Sequence, residues 1–249
     1  MSVHIIIPAR YNSSRLPGKP LLDIKGKPVV WHVYQRALET NIDSIIVATD
    51  DDRILQAVES FECKAIMTGE SHQSGTDRLA EVATKLGFND DDIVVNLQGD
   101  EPLIDPDYIE VVVEHLKKNS GADISTLMCP IVSAKDLFNP NIVKVVTNSN
   151  SEALYFSRSP VSYIRDRKLT EWLDVTEFWG HHGIYGFRRN ILKNFDSIPS
   201  GRLENLEKLE QLRFLEAGYC IRTFSTAYKH LSVDKPEDLR FINKLVEST

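Results

Sequence analysis

Three short runs of apolar, largely β-branched residues constrain the fold of this chain more than any other feature: residues 3–7, 44–48 and 93–97. Runs without polar alternation are typical of strands buried on both faces, as in a parallel sheet between two layers of helices. The spacing of apolar residues between and after these runs predicts helices roughly at residues 28–39, 52–60, 77–86 and 108–117. The chain is therefore predicted to be an α/β protein with a doubly wound, mostly parallel sheet.

The second half of the chain is less regular. A strand is predicted at residues 124–128, and the alternation in residues 143–147 and 153–157 predicts an antiparallel hairpin. Residues 203–217 have the spacing of one continuous helix closed by Gly218, and residues 235–246 begin a terminal helix with an acidic first turn. Because no linker-like segment interrupts these 249 residues, we expect a single domain.

Composition excludes several classes of function. A net charge of -7 argues against the broad basic surface that sequence-independent nucleic-acid binding requires. The cysteines Cys63, Cys129 and Cys220 are odd in number and match no metal-ligand spacing, so we expect reduced core residues and a cytoplasmic protein. The first run is too short for a signal peptide and no apolar stretch approaches the ~20 residues of a membrane span, so we expect no stable membrane association.

The loop after the first predicted strand carries a cluster of cations. Arg10, Arg15 and Lys19 fall between Pro8 and Pro20, at the edge where open α/β sheets bind ligands. Guanidinium groups bind phosphate oxygens in pairs and a lysine acts as a compact charge, so the loop suits a polyphosphate. A solvated basic turn is the alternative interpretation. Neither of the two familiar glycine-rich phosphate loops follows a strand, which disfavours kinases, nucleoside triphosphatases and dehydrogenases.

Carboxylates in two places suit a magnesium ion. Asp100 follows the third predicted strand, and Asp234 precedes the terminal helix. Mg²⁺ usually takes one or two carboxylates together with substrate phosphates and water. Each aspartate alone equally fits a turn or a helix cap. In addition, residues 71–78 open a helix whose backbone N–H groups, with Arg78, suit a nucleotide base or phosphate.

In their order along the chain, the motifs resemble the 3-deoxy-manno-octulosonate cytidylyltransferases, also called CMP-Kdo synthetases. The resemblance runs nearly end to end, and its most specific segments are IIIPARYNSSRLPGKPL, ATDD, HQSGTDRLAEV, VVNLQGDEPLI, FNPNIVKVV, LYFSRSPV, HHGIYGFR, LEKLEQLR and VDKPEDL. It implies a nucleotide-binding core at residues 1–128 and 229–249, and a sugar-binding and dimerisation region at residues 129–228. A homodimer is implied with it.

The resemblance also implies roles for individual residues. The positions that match nucleotide contacts are Pro8, Ala9, Arg10, Arg15, Lys19, Thr49, Asp50, Ser74, Gly75, Arg78 and Gln98. The positions that match sugar contacts are Gln98, Arg158, Arg165, His181, Tyr185, Glu210 and Gln211. Mg²⁺ would bind Asp100 and Asp234, and the implied catalytic residues are these two aspartates with Arg15 and Lys19.

Side-chain chemistry agrees with the implied sugar contacts. Arg158, Arg165 and His181 suit the carboxylate of 3-deoxy-manno-octulosonate (Kdo), while the amide, phenol and carboxyl groups at the other positions suit its hydroxyls. We leave His182 as a structural residue.

The expected reaction joins CTP and Kdo to give CMP-Kdo and pyrophosphate, which activates the sugar for lipopolysaccharide synthesis. The anomeric hydroxyl would attack the α-phosphate in line, activated by the metal ion; no side chain is assigned as general base.

Three alternatives remain. The sequence at residues 228–232 departs from the small glycine-containing segment of the family, so the substrate could be 8-amino-3,8-dideoxy-octulosonate. The other two are a CMP-sialate-type or hexose-phosphate nucleotidyltransferase, and a nucleotide-binding module without chemistry.

Overall fold

The structure is a computed structural model, and it describes residues 1–12, 16–72, 74–118, 121–227 and 231–247. Its strands are β1 (Val3–Ala9), β2 (Asp23–Ile24), β3 (Lys27–Pro28), β4 (Ser44–Thr49), β5 (Lys64–Met67), β6 (Ile93–Asn96), β7 (Ile124–Pro130), β8 (Lys144–Thr147), β9 (Ala153–Ser157), β10 (Trp179–Arg188) and β11 (Ile221–Ser225). Its α-helices are α1 (Val29–Leu38), α2 (Asp52–Glu59), α3 (Gly75–Lys85), α4 (Pro106–Lys117), α5 (Ala134–Leu137), α6 (Trp172–Val175), α7 (Arg189–Lys193), α8 (Arg202–Glu207), α9 (Gln211–Glu216) and α10 (Pro236–Glu247).

The central sheet has the strand order β11-β7-β10-β6-β1-β4-β5, with the hairpin β8–β9 attached to β10. Strand β1 is parallel to both β4 and β6, β4 is parallel to β5, and β7 is parallel to β11. Only β10 runs antiparallel to its neighbours β6 and β7 within this order, for the residues that the structure describes. The predicted fold class, an α/β protein with a mostly parallel sheet, is confirmed.

Both faces of the sheet are buried, as the uninterrupted apolar runs predict. Ile6 on β1 packs in one core with residues of α3, α7 and α9, whereas its neighbours Ile5 and Ile7 pack in a second core with α1, α2 and α4. Side chains alternate between the two faces of a strand, so a run without polar residues fills both cores. Polar groups are therefore found where the strands end, at the carboxyl edge of the sheet.

Local capping explains where several predicted helices begin. The Asp51 side chain accepts a hydrogen bond from the Arg53 N–H at the start of α2, and Asp105 caps α4 just before Pro106. Ser74 and Asp77 form a capping box at the start of α3. The predicted helices of the first half, the strand at β7, the hairpin β8–β9 and the terminal helix are all confirmed.

The prediction of one continuous helix at residues 203–217 is wrong. Lys208 adopts the left-handed conformation, with φ 53° and ψ 49°, and ends α8 before α9 begins. The sequence analysis also missed β5, β10 and β11, since none is a long apolar run. All three cysteines are free, as expected, but Cys220 is only half-buried. In the portion of the chain that the structure covers, no helix has the length and apolar character needed to cross a membrane.

Candidate functional site

The carboxyl ends of β1 and β6 form the floor of a cavity. Pro8 and Ala9 end β1, and Gln98, Gly99 and Asp100 follow β6. A Cβ atom on Gly99 would lie 2.7 Å from the carbonyl oxygen of Pro8, so the two strand ends approach closely only because this residue is glycine. The side chains around this first cavity are Pro8, Ala9, Arg10, Lys19, Pro20, His72, Ser74, Gly75, Arg78, Gln98, Gly99, Asp100 and Asp234.

Two aspartates from opposite halves of the chain meet in this cavity. The Lys19 ammonium donates to Asp100 Oδ2 at 2.7 Å and to Asp234 Oδ1 at 3.2 Å. A backbone hydrogen bond also joins the two segments, because the N–H of Val233 donates to the carbonyl oxygen of Asp100 at 2.8 Å. The two carboxylates thus already converge on one cation, which is the arrangement a divalent metal requires.

These two carboxylates fit the donor set that Mg²⁺ takes when substrate phosphates supply further oxygens. Among the residues that the structure describes, no group of three or more His, Cys, Asp or Glu side chains could hold a metal by itself. The site therefore suits an ion that arrives with a phosphate ligand. Whether Asp100 and Asp234 bind Mg²⁺ stays a prediction.

Glu101 follows Asp100 in the chain, and its role near the two aspartates was not predicted from the sequence. It is buried, and burial together with the negative charges of Asp100 and Asp234 raises the pKa of its carboxyl well above the usual value. The protonated form of Glu101 is therefore more favoured than it would be in water. Its oxygen lies 3.8 Å from the position of a Cβ atom on Gly183, a residue that lines the neighbouring cavity.

The N-terminus of α3 forms one wall of the first cavity. Ser74 and Gly75 line it at the point where the helix begins, and the N-terminus of a helix favours anions. Arg78, buried on the same helix, is held by an ion pair with Asp50 and a hydrogen bond to Thr68 Oγ1 at 2.6 Å. This wall therefore presents the N-terminus of α3 and a guanidinium group that Asp50 holds in place.

Two of the predicted nucleotide contacts lie outside the cavity lining. Thr49 is fully buried, and its carbonyl oxygen accepts from the Thr68 N–H. Asp50 pairs with Arg78 and orients it. A direct contact of Thr49 or Asp50 with a nucleotide stays a prediction.

The basic loop is fixed at its base. The N–H of Gly18 donates to the carbonyl oxygen of Tyr11 at 2.8 Å, and the Arg53 guanidinium lies 3.3 Å from the centre of the Tyr11 ring. Arg10 lines the first cavity, whereas Arg15 lies outside the described residues, so its role stays a prediction. The contact with Arg53 was not predicted, because nothing in the sequence links it to Tyr11.

A second cavity adjoins the first and shares Arg10, Ser74, Gly75 and Gln98 with it. It contains five of the seven predicted sugar contacts, namely Gln98, His181, Tyr185, Glu210 and Gln211. Strand β10 supplies the histidine and the tyrosine, and a register irregularity between His182 and Tyr185 interrupts its pairing with β7. Gln98 Nε2 donates to the carbonyl oxygen of Gly183 at 3.3 Å, which joins the floor of the first cavity to β10.

Glu210 stands in the break between α8 and α9. Burial raises the pKa of its carboxyl to about 6, although hydrogen bonds with Thr76 and Ser74 oppose that shift. Burial, and then the charge of Glu210, raise the pKa of Tyr185 well above its usual value, so the phenol stays protonated. A carboxyl group and a phenol of this kind suit the hydroxyls of a sugar.

The other two predicted sugar contacts lie outside both cavities. The Arg158 guanidinium donates to the carbonyl oxygens of Glu207, Pro140 and Lys208. The side chain of Arg165 is 90% exposed beside Asp166. Contacts of these two arginines with a sugar stay predictions.

The sequence of this chain is similar to those of known proteins over nearly its whole length. The model of the cytidylyltransferase family matches residues 4–245. This chain belongs to that family. The 3-deoxy-manno-octulosonate cytidylyltransferase of Thermodesulfovibrio yellowstonii is 49% identical over 249 residues, which cover 98% of this chain and 97% of the relative. The 8-amino-3,8-dideoxy-manno-octulosonate cytidylyltransferase of Shewanella pealeana is 50% identical over 242 residues, which cover 96% of each.

Solved structures agree with the family assignment. A structure of CMP:2-keto-3-deoxy-manno-octonic acid synthetase complexed with CTP is 45% identical to this cytidylyltransferase, with a TM-score of 0.91 over 100% of this chain and 99% of that one. A cytidylyltransferase from Leptospira borgpetersenii is 18% identical, with a TM-score of 0.65 over 100% of this chain and 88% of that one. The second likeness shows a shared fold alone.

Two other predictions for this cytidylyltransferase concern His182 and the segment at residues 228–232. His182 is fully buried and meets the Tyr108 ring edge to face at 5.7 Å, in agreement with a structural role. In the segment that departs from the family pattern, residues 228–230 lie outside the described part of the chain.

Proposed function

We propose that this chain transfers the CMP group of CTP to the anomeric hydroxyl of Kdo. The sugar oxygen forms a bond to the α-phosphorus, the bond from that phosphorus to the β-phosphate oxygen breaks, and pyrophosphate leaves while the hydroxyl proton is released. The observation that carries the proposal is the convergence of Asp100 and Asp234 on Lys19, beside a cavity that continues into a second one. The relatives that bear this activity in their names support it.

Asp100 and Asp234 are the residues that would hold Mg²⁺. When bound, the ion supplies charge neutralisation at the α-phosphate and lowers the pKa of a coordinated hydroxyl. The Lys19 ammonium, which now lies between the carboxylates, is free to turn toward phosphate oxygens once another cation replaces it there.

The remaining groups of the first cavity position the triphosphate. Arg10 and Lys19 place cations at the end of β1, and Arg15 follows in the same loop. The backbone N–H groups at the start of α3, with Arg78, supply further donors. Fixed charges of this kind stabilise the charge that develops on the leaving pyrophosphate, because they need no rearrangement during the reaction.

The second cavity would hold the sugar. Gln98 reaches both cavities, so a sugar bound there lies next to the α-phosphate position. His181, Tyr185, Glu210 and Gln211 offer donors and acceptors to its hydroxyls. With a pKa of about 6, Glu210 is mostly ionised at pH 7 and accepts hydrogen bonds.

An 8-amino sugar is the second candidate substrate, because a relative of equal similarity is named for it. Pyrophosphate release should be measured with CTP and Mg²⁺ in the presence of Kdo, 8-amino-3,8-dideoxy-octulosonate, sialate or no sugar. We expect release with Kdo and none without sugar. A preference for the amine would replace Kdo as the substrate. Turnover with sialate alone would place the chain in another sugar class, and CTP binding without any release would make it a binding module.

We also propose that the enzyme is a homodimer whose residues 129–228 supply both sugar binding and the subunit contact. Large apolar side chains are exposed in this region, including Val132 at 83%, Tyr163 at 74% and Leu206 at 68%. Exposed apolar surface of this kind supports a subunit interface. Sedimentation equilibrium would test it, and a monomer at all concentrations would contradict it. Free cysteines support a cytoplasmic location. The product of the proposed reaction would be the activated sugar for lipopolysaccharide synthesis.

A further inference from the structure

The break between α8 and α9 is built around a lysine in an unfavourable backbone conformation. Lys208 has φ 53° and ψ 49°, a region that glycine occupies without steric cost and other L-residues seldom do. Its N–H donates to the carbonyl oxygen of Glu204, which closes α8. Of the non-glycine residues with positive φ in the described part of the chain, Lys208 is the one that lines the second cavity.

Arg158, which follows β9, holds this turn in place. Arg158 Nε donates to the carbonyl oxygen of Glu207 at 2.6 Å, and Arg158 Nη2 donates to that of Lys208 at 3.3 Å. The backbone of Arg158 is itself fixed, because the buried Lys144 ammonium donates to its carbonyl oxygen. The position of Lys208 is therefore determined by tertiary contacts rather than by the helices on either side.

Lys208 is an exposed residue that lines the second cavity together with Arg10 and His181. Glu204, four residues earlier, accepts hydrogen bonds from Ser200 Oγ and from the N–H of Gly201. The two arginines that the sequence nominates for an acidic sugar lie outside this cavity. An anion bound here would thus find its cations in Arg10, which also faces the triphosphate, and in Lys208.

We infer that Lys208 binds the carboxylate of the acidic sugar, and that Arg158 is a positioning residue that holds the turn of Lys208. This inference rests on the proposed function, since it assigns the anionic group of the sugar to a residue of the second cavity. The inference also explains the left-handed turn, because Lys208 and Glu210, on either side of Leu209, both line the second cavity.

The test compares Lys208→Gly with Lys208→Arg in steady-state pyrophosphate release. Glycine keeps the left-handed turn, so Lys208→Gly should fold at least as stably as the wild type, by thermal unfolding. The KM for Kdo should rise about tenfold or more, as the loss of a charged hydrogen bond predicts, while the KM for CTP stays within about twofold. Lys208→Arg should restore most of the affinity. Lys193→Met, which removes an exposed ammonium paired with Asp90 outside the cavity lining, is the matched control.

An unchanged KM for Kdo in Lys208→Gly would overturn the inference. Wild-type turnover with Kdo is measured first, so that absence of turnover with any sugar is a failure of the proposed function, and the inference falls with it. The role of Arg158 is tested by Arg158→Met in both backgrounds. A positioning role predicts that Arg158→Met raises the KM for Kdo in the wild type but has little further effect in Lys208→Gly. An equal rise in both backgrounds would mean that Arg158 contacts the sugar itself.

Discussion

Asp100 and Asp234, from opposite halves of the chain, present carboxylate oxygens to the same ammonium group, 2.7 and 3.2 Å from Lys19 Nζ. Their side chains are 27% and 32% exposed, so the pair is open to a ligand rather than sealed in the core. Two like charges held this close need a cation between them. The same geometry that Lys19 satisfies in the free protein is the one that a metal–nucleotide complex would use.

Replacing either aspartate should remove activity without loss of stability. Asp100→Asn and Asp234→Asn each withdraw one carboxylate from the shared cation. A bound metal contributes several kcal/mol to such a transition state, so we expect kcat to fall at least about a hundredfold. Asp91→Asn, at an exposed turn, is the control for loss of a carboxylate. Retained turnover of Asp100→Asn at saturating Mg²⁺ would remove Asp100 from the mechanism.

Lys19→Met should have opposite effects on metal binding and on turnover. In the protein without nucleotide, the Lys19 ammonium competes with any metal for the two carboxylates. Its removal should therefore increase the affinity for Mn²⁺ several-fold in titration calorimetry, while turnover falls because the triphosphate loses a cation. The gain in Mn²⁺ affinity should disappear when Asp100→Asn is added. Unchanged or weaker Mn²⁺ binding in Lys19→Met would mean that the carboxylates do not form a metal site.

Much of the fold follows from the sequence because burial on both faces leaves a clear pattern. The residues of β1, β4 and β6 are apolar runs, and polar residues of the first cavity follow the ends of β1 and β6. Strand β10 was missed, since its three glycines and two histidines hide the alternation of buried and half-buried residues. The register of that strand depends on β6 and β7, which are distant in sequence.

The candidate site was predicted in its composition but not in its contacts. The sequence nominated Asp100 and Asp234 as a pair on one Mg²⁺ and Lys19 as a phosphate contact, but no local pattern placed the lysine between the aspartates. The leucine spacing of residues 203–217 fits one helix, and only tertiary hydrogen bonds from Arg158 show why it breaks at Lys208. Contacts of this kind depend on the assembled fold, so sequence spacing alone does not reveal them.

Glu210 should make stability depend on pH. Its pKa is about 6 in the folded protein, above the usual 4.5, so the folded state holds the proton more tightly than the unfolded state. The corresponding stability is present below pH 4.5 and is lost as the pH rises to about 6. Glu210→Gln should therefore gain stability relative to the wild type across this window, by on the order of 1 kcal/mol at pH 7. Urea unfolding from pH 4 to 8 measures it, and parallel stability curves would contradict it.

Gly99→Ala should disturb both stability and the site. The added Cβ atom would lie 2.7 Å from the carbonyl oxygen of Pro8, which cannot move without displacing β1. We expect a cost of about 1–3 kcal/mol in urea unfolding, together with reduced turnover because Asp100 is the next residue. Gly69→Ala is the matched control, since its nearest contact would be an ordinary 3.5 Å. Equal stability of the two variants would show that the strand ends are not closely constrained.

The reaction itself is tested most directly by following one oxygen atom. Kdo labelled with ¹⁸O in its anomeric hydroxyl should be converted with CTP and Mg²⁺, and both products should be analysed by mass spectrometry. Attack of the sugar oxygen on the α-phosphorus predicts that the label is found in CMP-Kdo, in the oxygen that bridges sugar and phosphorus, and that pyrophosphate carries none. An unlabelled CMP-sugar, or label in the pyrophosphate, would contradict the proposed transfer.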